Sequence, residues 1–427
     1  MISSLVFVLC GGSAAFMAHR GFMIFHDASR PYVHDMMEGQ MERREWLAAA
    51  WPLSFGLMLG LGLPFALATG IILVHLLFLG TDLIGAAIPG GRSGTDANRR
   101  RIAYSYSLLA GASGMLFAAV LYFGVHAAVG GMERWPVSLS TAMQPIAMPV
   151  VMLVSLFPIL VILRQFGAVL AGIGFVMIAA VFWTMQVLLE QSWLTASGAS
   201  LLAGMMLLII IVIRRAERNA ESVVPIFIER TNRLKQGYFG IFAVGAFYAA
   251  SVSGQLLAEG PQSLLAMEKE SAFSATVIAL ARAVSFMPLK SMTALTSGTF
   301  PTDGFGFVPA VGLMSQTIIP AAFIGGAVML LEARLIVRLA RLADLFPLLR
   351  DVASHARTAM SQLLEIGLLI GCFISAVTIA GEWAGLLLIG IYFLNEYTGN
   401  RLPKMSVALI GLLVIYVLAN MFAWLLA

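Results

Sequence analysis

Apolar runs long enough to cross a bilayer recur along this chain from one end to the other. The clearest occupy residues 2–17, 102–129, 143–163, 166–189, 193–213, 238–258, 307–331, 362–380 and 405–426. At 1.5 Å per residue, each covers about 30 Å of hydrocarbon with some tilt. Hydrocarbon satisfies no backbone N–H or C=O, so a spanning segment must be a helix or a strand of a closed barrel. Alternating ten-residue strands are absent from the sequence, which leaves the helix. Of 427 residues, 60% are hydrophobic and 11% are charged. That composition cannot build the polar shell of a soluble fold. The expected fold is therefore all-α, a polytopic transmembrane helix bundle.

Three stretches depart from regular spans. Residues 48–79 are too long for one crossing and short for two, and Pro52 and Pro64 interrupt them. Residues 273–305 carry Arg282, Pro288, Lys290 and Pro301 and read as a broken helix. Residues 383–397 are short for a span. Interrupted helices occur at membrane depth where protein or water surrounds them, and in transporters they often build the substrate site. Thr81-Asp82-Leu83-Ile84-Gly85 before Pro89 resembles Thr302-Asp303-Gly304-Phe305-Gly306 before Pro309. These twin contexts suggest an internal repeat, with halves at 1–190 and 191–427 in one integrated membrane domain.

Basic residues cluster at 20–44, 99–101, 214–235, 334–357 and 401–404, while the connections near Glu133, Glu190 and 259–270 are acidic or poor in Lys and Arg. The positive-inside rule places the clusters in the cytoplasm and both termini outside, with about 10 to 13 membrane segments. The formal net charge of +4 thus reports orientation and not affinity for nucleic acid. Residues 2–19 lack a basic leader and read as a retained span, not a signal peptide. Cys10 and Cys372 lie in apolar runs and suggest neither a disulfide framework nor a metal site. The 24 methionines are scattered and read as packing.

Several local patterns together resemble the YhfT family, bacterial inner-membrane proteins described only as candidate transporters. They are Ala18-His19-Arg20, Phe25-His26-Asp27, Arg30-Pro31, Glu38-Gly39, Arg43-Arg44-Glu45 and Leu79-Gly80-Thr81-Asp82. Glu229-Arg230-Thr231 and Ile391-Tyr392-Phe393-Leu394-Asn395-Glu396, before Gly399 and Lys404-Met405, continue the match towards the C-terminus. The Thr302-Asp303 stretch has no clear match. The resemblance implies a location in the inner membrane and brings no substrate or site residue with it.

Ionisable groups in hydrocarbon cost about 2.5–3.5 kcal/mol on insertion scales, so each needs a reason. Asp82 and Asp303 end interrupted stretches and are candidates for binding an ion or a polar solute; Thr-Asp also suits a helix N-cap. Glu365 lies about two turns into a span and reads as a proton carrier or as the partner of an arginine. Asn395 and Glu396 set carboxamide beside carboxylate at the end of a short helix. Arg282 and Lys290, eight residues apart, share a helix face. Arg282 is a candidate for an anionic solute, whereas Lys290 is expected to snorkel to the headgroups. His26, Asp27, His34 and Asp35 read as packing on the cytoplasmic face and not as metal ligands. Arg334, Arg338 and Arg341 recur at helical spacing and read as an amphipathic surface helix.

These features favour a transporter of a small polar solute, coupled to H+ or Na+. No cofactor, no resident metal and no catalytic residue is expected. A permease subunit of a phosphotransferase-like system is the alternative within the same class. Intramembrane enzymes carry complete catalytic motifs, and none stands here. Expected partners are the solute, H+ or Na+ and membrane lipid, with a second copy of the chain left open.

Overall fold

The computed structural model describes residues 2–25, 41–89, 97–215, 234–302, 304, 306–315, 317–344 and 348–426. Among these, nearly everything is helical. The first set of elements is α1 (Ile2–His19), α2 (Arg43–Leu57), a π-helical turn (Met58–Gly62), α3 (Leu63–Thr69), β1 (Ile72–Leu73), α4 (Val74–Ala87) and α5 (Ala97–Met132). After these come α6 (Leu139–Met143), α7 (Ala147–Ser155), α8 (Phe157–Phe166), α9 (Ala168–Trp183) and α10 (Trp193–Arg215). The second set is α11 (Tyr238–Ser253), β2 (Leu257–Ala258), α12 (Pro261–Lys269), α13 (Ala272–Ser297), α14 (Val308–Met314) and α15 (Ile318–Asp344). It closes with α16 (Leu348–Ala380), α17 (Glu382–Tyr397) and α18 (Lys404–Leu426).

Among the described residues, ten helical segments are long and apolar enough to cross a membrane, and α4 and α11 are shorter apolar helices. Apolar side chains such as Phe239, Phe273, Trp383 and Leu425 are exposed on the outside of the bundle, as lipid-facing surfaces require. The protein is a multi-pass, membrane-type helix bundle. Two expected runs divide differently. Residues 273–305 contain one 26-residue helix, α13, which accommodates Pro288 without ending. Residues 307–331 are interrupted around Ser315 and Thr317, so that α14 and α15 are separate helices.

One arrangement recurs through the chain. After α1, Gly21 donates its N–H to the Ala18 carbonyl (2.9 Å) and Phe22 to that of Met17 (3.0 Å). After α11, Gln255 donates to Val252 (2.9 Å) and Leu256 to Ser251 (3.0 Å). Gly21 and Gln255 both hold positive φ, 66° and 56°. Helix α3 ends on Gly70 (φ 73°), whose N–H meets Ala66 O at 2.8 Å; α13 ends on Gly298 (φ 66°), whose N–H meets Ala294 O at 2.9 Å. This left-handed cap satisfies a terminal carbonyl and needs a residue without Cβ strain. Gly167 and Gly381, at φ 90° and 82°, separate α8 from α9 and α16 from α17. Helices α10 and α18 close the two series with 23 residues each.

The two series interlock crosswise. The chain leaving α1 pairs with the chain entering α14, through Met23 and Phe300, and Phe300 N–H donates to Phe22 O at 2.8 Å. The chain leaving α11 pairs with the chain entering α4: β2 lies parallel to β1, Ile72 opposite Leu257, and Ile72 N–H donates to Leu256 O at 3.1 Å. Exchanging the series maps one pairing onto the other. The register makes Ile72 equivalent to Phe300. Thr302 therefore sits just before α14, whereas Thr81 lies deep inside α4. The twin Thr-Asp contexts in the sequence are not equivalent positions.

Close helix contact carries the same mark. Gly11 of α1 meets Gly114 of α5, and Gly245 of α11 meets Gly325 of α15. Small residues let helix backbones approach where lipid offers no hydrophobic drive for association. A Cβ on Gly114 would lie 2.5 Å from Ala15 Cβ and 2.6 Å from Gly11 O, whereas Gly124 on the same helix has open space. Gly114→Ala is expected to lower stability by about 1–3 kcal/mol through overpacking. Gly124→Ala is expected to leave it unchanged or slightly raised. Thermal unfolding of both variants in detergent checks the contrast.

Candidate functional site

The crossing of the two series is buried: Met23, Ile72, Leu73, Leu257 and Phe300 are each at most 1% exposed. The β1–β2 pairing brings two helix starts with it. Leu73 lies opposite Ala258, so Val74 at the start of α4 stands beside Glu259 and Gly260, where α12 begins. Leu73, at the N-cap of α4, contributes no side-chain cap. Helix starts carry a partial positive charge, and here two of them face a buried, water-poor centre.

The charged side chains at this centre come mainly from the second series. Glu259 follows β2 and is 1% exposed. Arg282 reaches it from α13, Nη1 to Oε1 at 3.4 Å. The guanidinium lies flat against Gly260; a Cβ there would come within 2.5 Å of Nη1. The Ser263 hydroxyl, one turn along α12, is placed to donate to the Glu259 carboxylate. Gly304 closes over the Glu259 backbone, where a Cβ would meet its carbonyl oxygen at 2.5 Å. His75, in the first turn of α4, sets its ring edge against Phe25 and is close enough to Arg282 for their charges to interact.

Two turns along α13, Lys290 Nζ meets Glu332 Oε2 of α15 at 2.8 Å, with both side chains buried. Glu332 also accepts the Phe307 N–H at the start of α14. Lys290 lies 5.0 Å from the centroid of the Phe300 ring. The expectation that Lys290 snorkels to the headgroups is thus corrected: its helix turns it inward, where a carboxylate and an aromatic face compensate its charge. The register of the repeat places Phe25, Gly62 and Leu121 at the positions of Glu259, Lys290 and Glu332. The scaffold is doubled and these charges are not.

The other candidates fall into three places. Asp82 is buried inside α4, not at a helix cap, and its Oδ2 accepts the Phe25 N–H at 2.7 Å. It ties α4 to the crossing strand after α1, so Phe25 and the Leu79-Gly80-Thr81-Asp82 pattern are joined in space. Asp303, His26, Asp27, His34 and Asp35 lie outside the described residues. Glu365, Asn395 and Glu396 gather elsewhere, where α16, α17 and α18 come together. Glu365 accepts the Tyr392 hydroxyl and lies 4.0 Å from Lys404, which reaches Glu396 at 3.0 Å. Asn395 clamps Leu402, accepting its N–H and donating to its carbonyl. This group is half-exposed, with Glu396 at 45%, where ion pairs contribute little. Of the six sequence candidates, Arg282 and Asp82 belong to the crossing. Arg334 and Arg338 lie on the exposed face of α15, opposite the buried Ala333 and Ile336.

Sequence reasoning passed over Glu259, His75 and Glu332. The available signal was local: Leu257-Ala258-Glu259-Gly260-Pro261 sets a carboxylate between an apolar run and a Gly-Pro helix start.

The YhfT family, described as a protein of unknown function, matches residues 3–427 of this chain. The chain belongs to the YhfT family. A relative from Escherichia coli (strain K12), named Uncharacterized protein YhfT, is 29% identical over 447 aligned positions, covering 99% of this chain and 98% of that protein. No solved structure matches the chain. Several of the YhfT-like motifs named from sequence sit at structural joints. His19 Nδ1 is 3.1 Å from Ser107 Oγ, joining α1 to α5, and Phe25 and Asp82 join α1 to α4.

Proposed function

We propose that this YhfT-family protein is a secondary transporter of a small polar solute, coupled to H+ or Na+, in the inner membrane of a bacterium. The observation that carries the reading is the crosswise pairing of two related helix series around a buried ionic centre. Interrupted helices meeting at a repeat interface are how secondary transporters place a solute away from lipid. Buried charges there need a reason in a bundle otherwise built from apolar residues and glycine. Glu259, Arg282 and His75 are the groups suited to the solute or the ion, with Asp82 and the Lys290–Glu332 pair holding the helices around them. The protein on this reading is a carrier and not an enzyme, and its basic segments face the cytoplasm.

Alternating access has a direct consequence for Ser263 and Thr302, each 2% exposed beside this centre. Cys10 and Cys372 are fully buried, so background labelling is low. Ser263→Cys and Thr302→Cys are expected to react with a small membrane-impermeant thiol reagent from either side, in right-side-out and inside-out vesicles. Reaction from one side only, or from neither, contradicts the carrier reading.

A further inference from the structure

A cleft lies where α8, α10, α13 and α16 meet, away from the crossing of the two series. It has a volume of about 370 Å3, part of it open to the outside. Its walls are apolar and include Phe157 of α8, Leu208 and Val212 of α10, Pro288 of α13 and Val352 of α16. Such walls gain dispersion contacts from an apolar occupant and offer water no hydrogen bonds.

The cleft continues the lipid-facing surface of the bundle. On α13, Phe273, Val277, Leu280 and Val284 are exposed at spacings of four, three and four residues, one stripe along one helix face. Pro288, four residues further, carries that stripe into the cleft. On α10, Met206, Ile210 and Ile213 are exposed beside the lining residues Ile209 and Val212. The apolar chain within reach of the cleft is therefore that of a membrane lipid.

One end of the cleft is basic. Arg164 lies seven residues past Phe157 on α8, and Arg215 lies seven residues past Leu208 on α10. Seven residues are close to two full turns, so each arginine stands over a residue that lines the cleft. Arg215 lies 5.6 Å from the centroid of the Phe166 ring, which brings the ends of α8 and α10 together. Arg164 donates to Gln362 Oε1 of α16 at 2.7 Å, and its fork carries further donors. The neighbouring Gln165 Oε1 is buried with no hydrogen-bond partner among the described residues, an acceptor suited to a headgroup hydroxyl. Two arginines converging over an apolar slot match a phosphodiester above an acyl chain.

We propose that this cleft binds one anionic glycerophospholipid of the cytoplasmic leaflet, with an acyl chain between the four helices and the phosphate on Arg164 and Arg215. The leaflet follows from the basic segments. Basic pockets between spans on that side hold anionic headgroups. Away from the arginines, the lining of α10 runs through Val212, Leu208 and Met205, and that of α8 lies at Phe157, so both walls lead the chain in one direction. A phosphatidylcholine headgroup carries its own ammonium, which the arginines repel, so the site selects by net charge.

The test is native mass spectrometry of the purified, delipidated protein with phosphatidylglycerol, with phosphatidylcholine of the same chains, and with sn-glycerol 3-phosphate. One phosphatidylglycerol is expected to bind about tenfold more tightly than phosphatidylcholine, and glycerol phosphate, which lacks the chains, is expected not to bind. Arg164→Gln and Arg215→Gln are each expected to weaken phosphatidylglycerol about fivefold. Ile209→Trp, which fills the cleft from its edge and leaves the charge alone, should weaken it about tenfold or more. Arg101→Gln, an exposed arginine on α5, should leave it unchanged. Arg164 and Arg215 are exposed, so their variants are expected to fold and decide the matter if Ile209→Trp does not. Equal binding of the two lipids, or glycerol phosphate binding as tightly as phosphatidylglycerol, overturns the proposal. So does undiminished binding in both arginine variants or in folded Ile209→Trp, or a loss in Arg101→Gln equal to that in Arg215→Gln.

Discussion

Lys290→Met is expected to destabilise the protein by about 3–5 kcal/mol, the cost of leaving one member of a buried ion pair without its partner. Lys290 Nζ and Glu332 Oε2 are 2.8 Å apart, with side-chain exposures of 1% and 3%. Methionine fills much of the lysine stem's volume, so the loss is electrostatic and not a cavity. Glu332 stays behind, held then by the Phe307 N–H alone among its described donors. The pair ties α13 to α15 and, through Phe307, to the start of α14, so its failure should loosen the second series as a unit. Lys290→Met with Glu332→Leu is expected to be less damaging than Lys290→Met alone, because no charge is stranded. Thermal and chemical unfolding in detergent measure both. Lys290→Met within about 0.5 kcal/mol of the wild type would mean that water reaches Glu332 and that the pair is not buried in solution.

Arg282→Gln is expected to reduce solute uptake about thirtyfold or more. Removing one partner of a buried, charged contact costs about 2 kcal/mol or above, and 1.4 kcal/mol is a factor of ten. Two effects add: the solute loses its strongest donor, and Glu259 loses its counter-charge. Arg282→Lys keeps the charge but not the planar fork, and should recover only part of the activity. The guanidinium packs on Gly260, so Gly260→Ala should imitate the defect by pushing Arg282 aside, its Cβ falling 2.5 Å from Nη1. Initial rates of uptake into vesicles, at matched protein content, measure all three.

The spans were legible because hydrocarbon imposes a length and a composition on each of them. A break within 48–79 was legible too, but it falls at Gly70, since α2 carries Pro52 inside it and α3 takes Pro64 in its first turn, and residues 383–397 lie in one short helix, α17, as their length suggested. The repeat was sensed in the wrong register. Thr81-Asp82 and Thr302-Asp303 look alike, but the equivalent elements are the helix ends Ala66-Leu67-Ala68-Thr69-Gly70 and Ala294-Leu295-Thr296-Ser297-Gly298. Thr69 and Ser297 each return a hydroxyl to the carbonyl four residues back, at 2.8 Å in both. That likeness is a matter of turn geometry, which small polar residues and glycine encode weakly.

The ionic centre was harder to read for a different reason. Glu259 stands in an acidic stretch with Glu268 and Glu270, which are exposed, and only the Gly260-Pro261 helix start beside it sets it apart locally. Its burial follows from β2 pairing with β1 from the other series, a contact between residues far apart in sequence. Lys290 and Glu332 are likewise 42 residues apart, on different helices. Arg282 was singled out by its position in an apolar run, the one signal available before its partners were known.

The central claim is that solute moves through the protein at the crossing of the two series. Uptake of labelled small acids, sugars and amino acids into vesicles holding the purified protein, under an imposed pH or Na+ gradient, tests it most directly. The account predicts accumulation of at least one solute above its external concentration, collapsing when the gradient is dissipated and lost in Arg282→Gln. Equal uptake in vesicles with and without protein, or conversion of a solute without net movement, would contradict it.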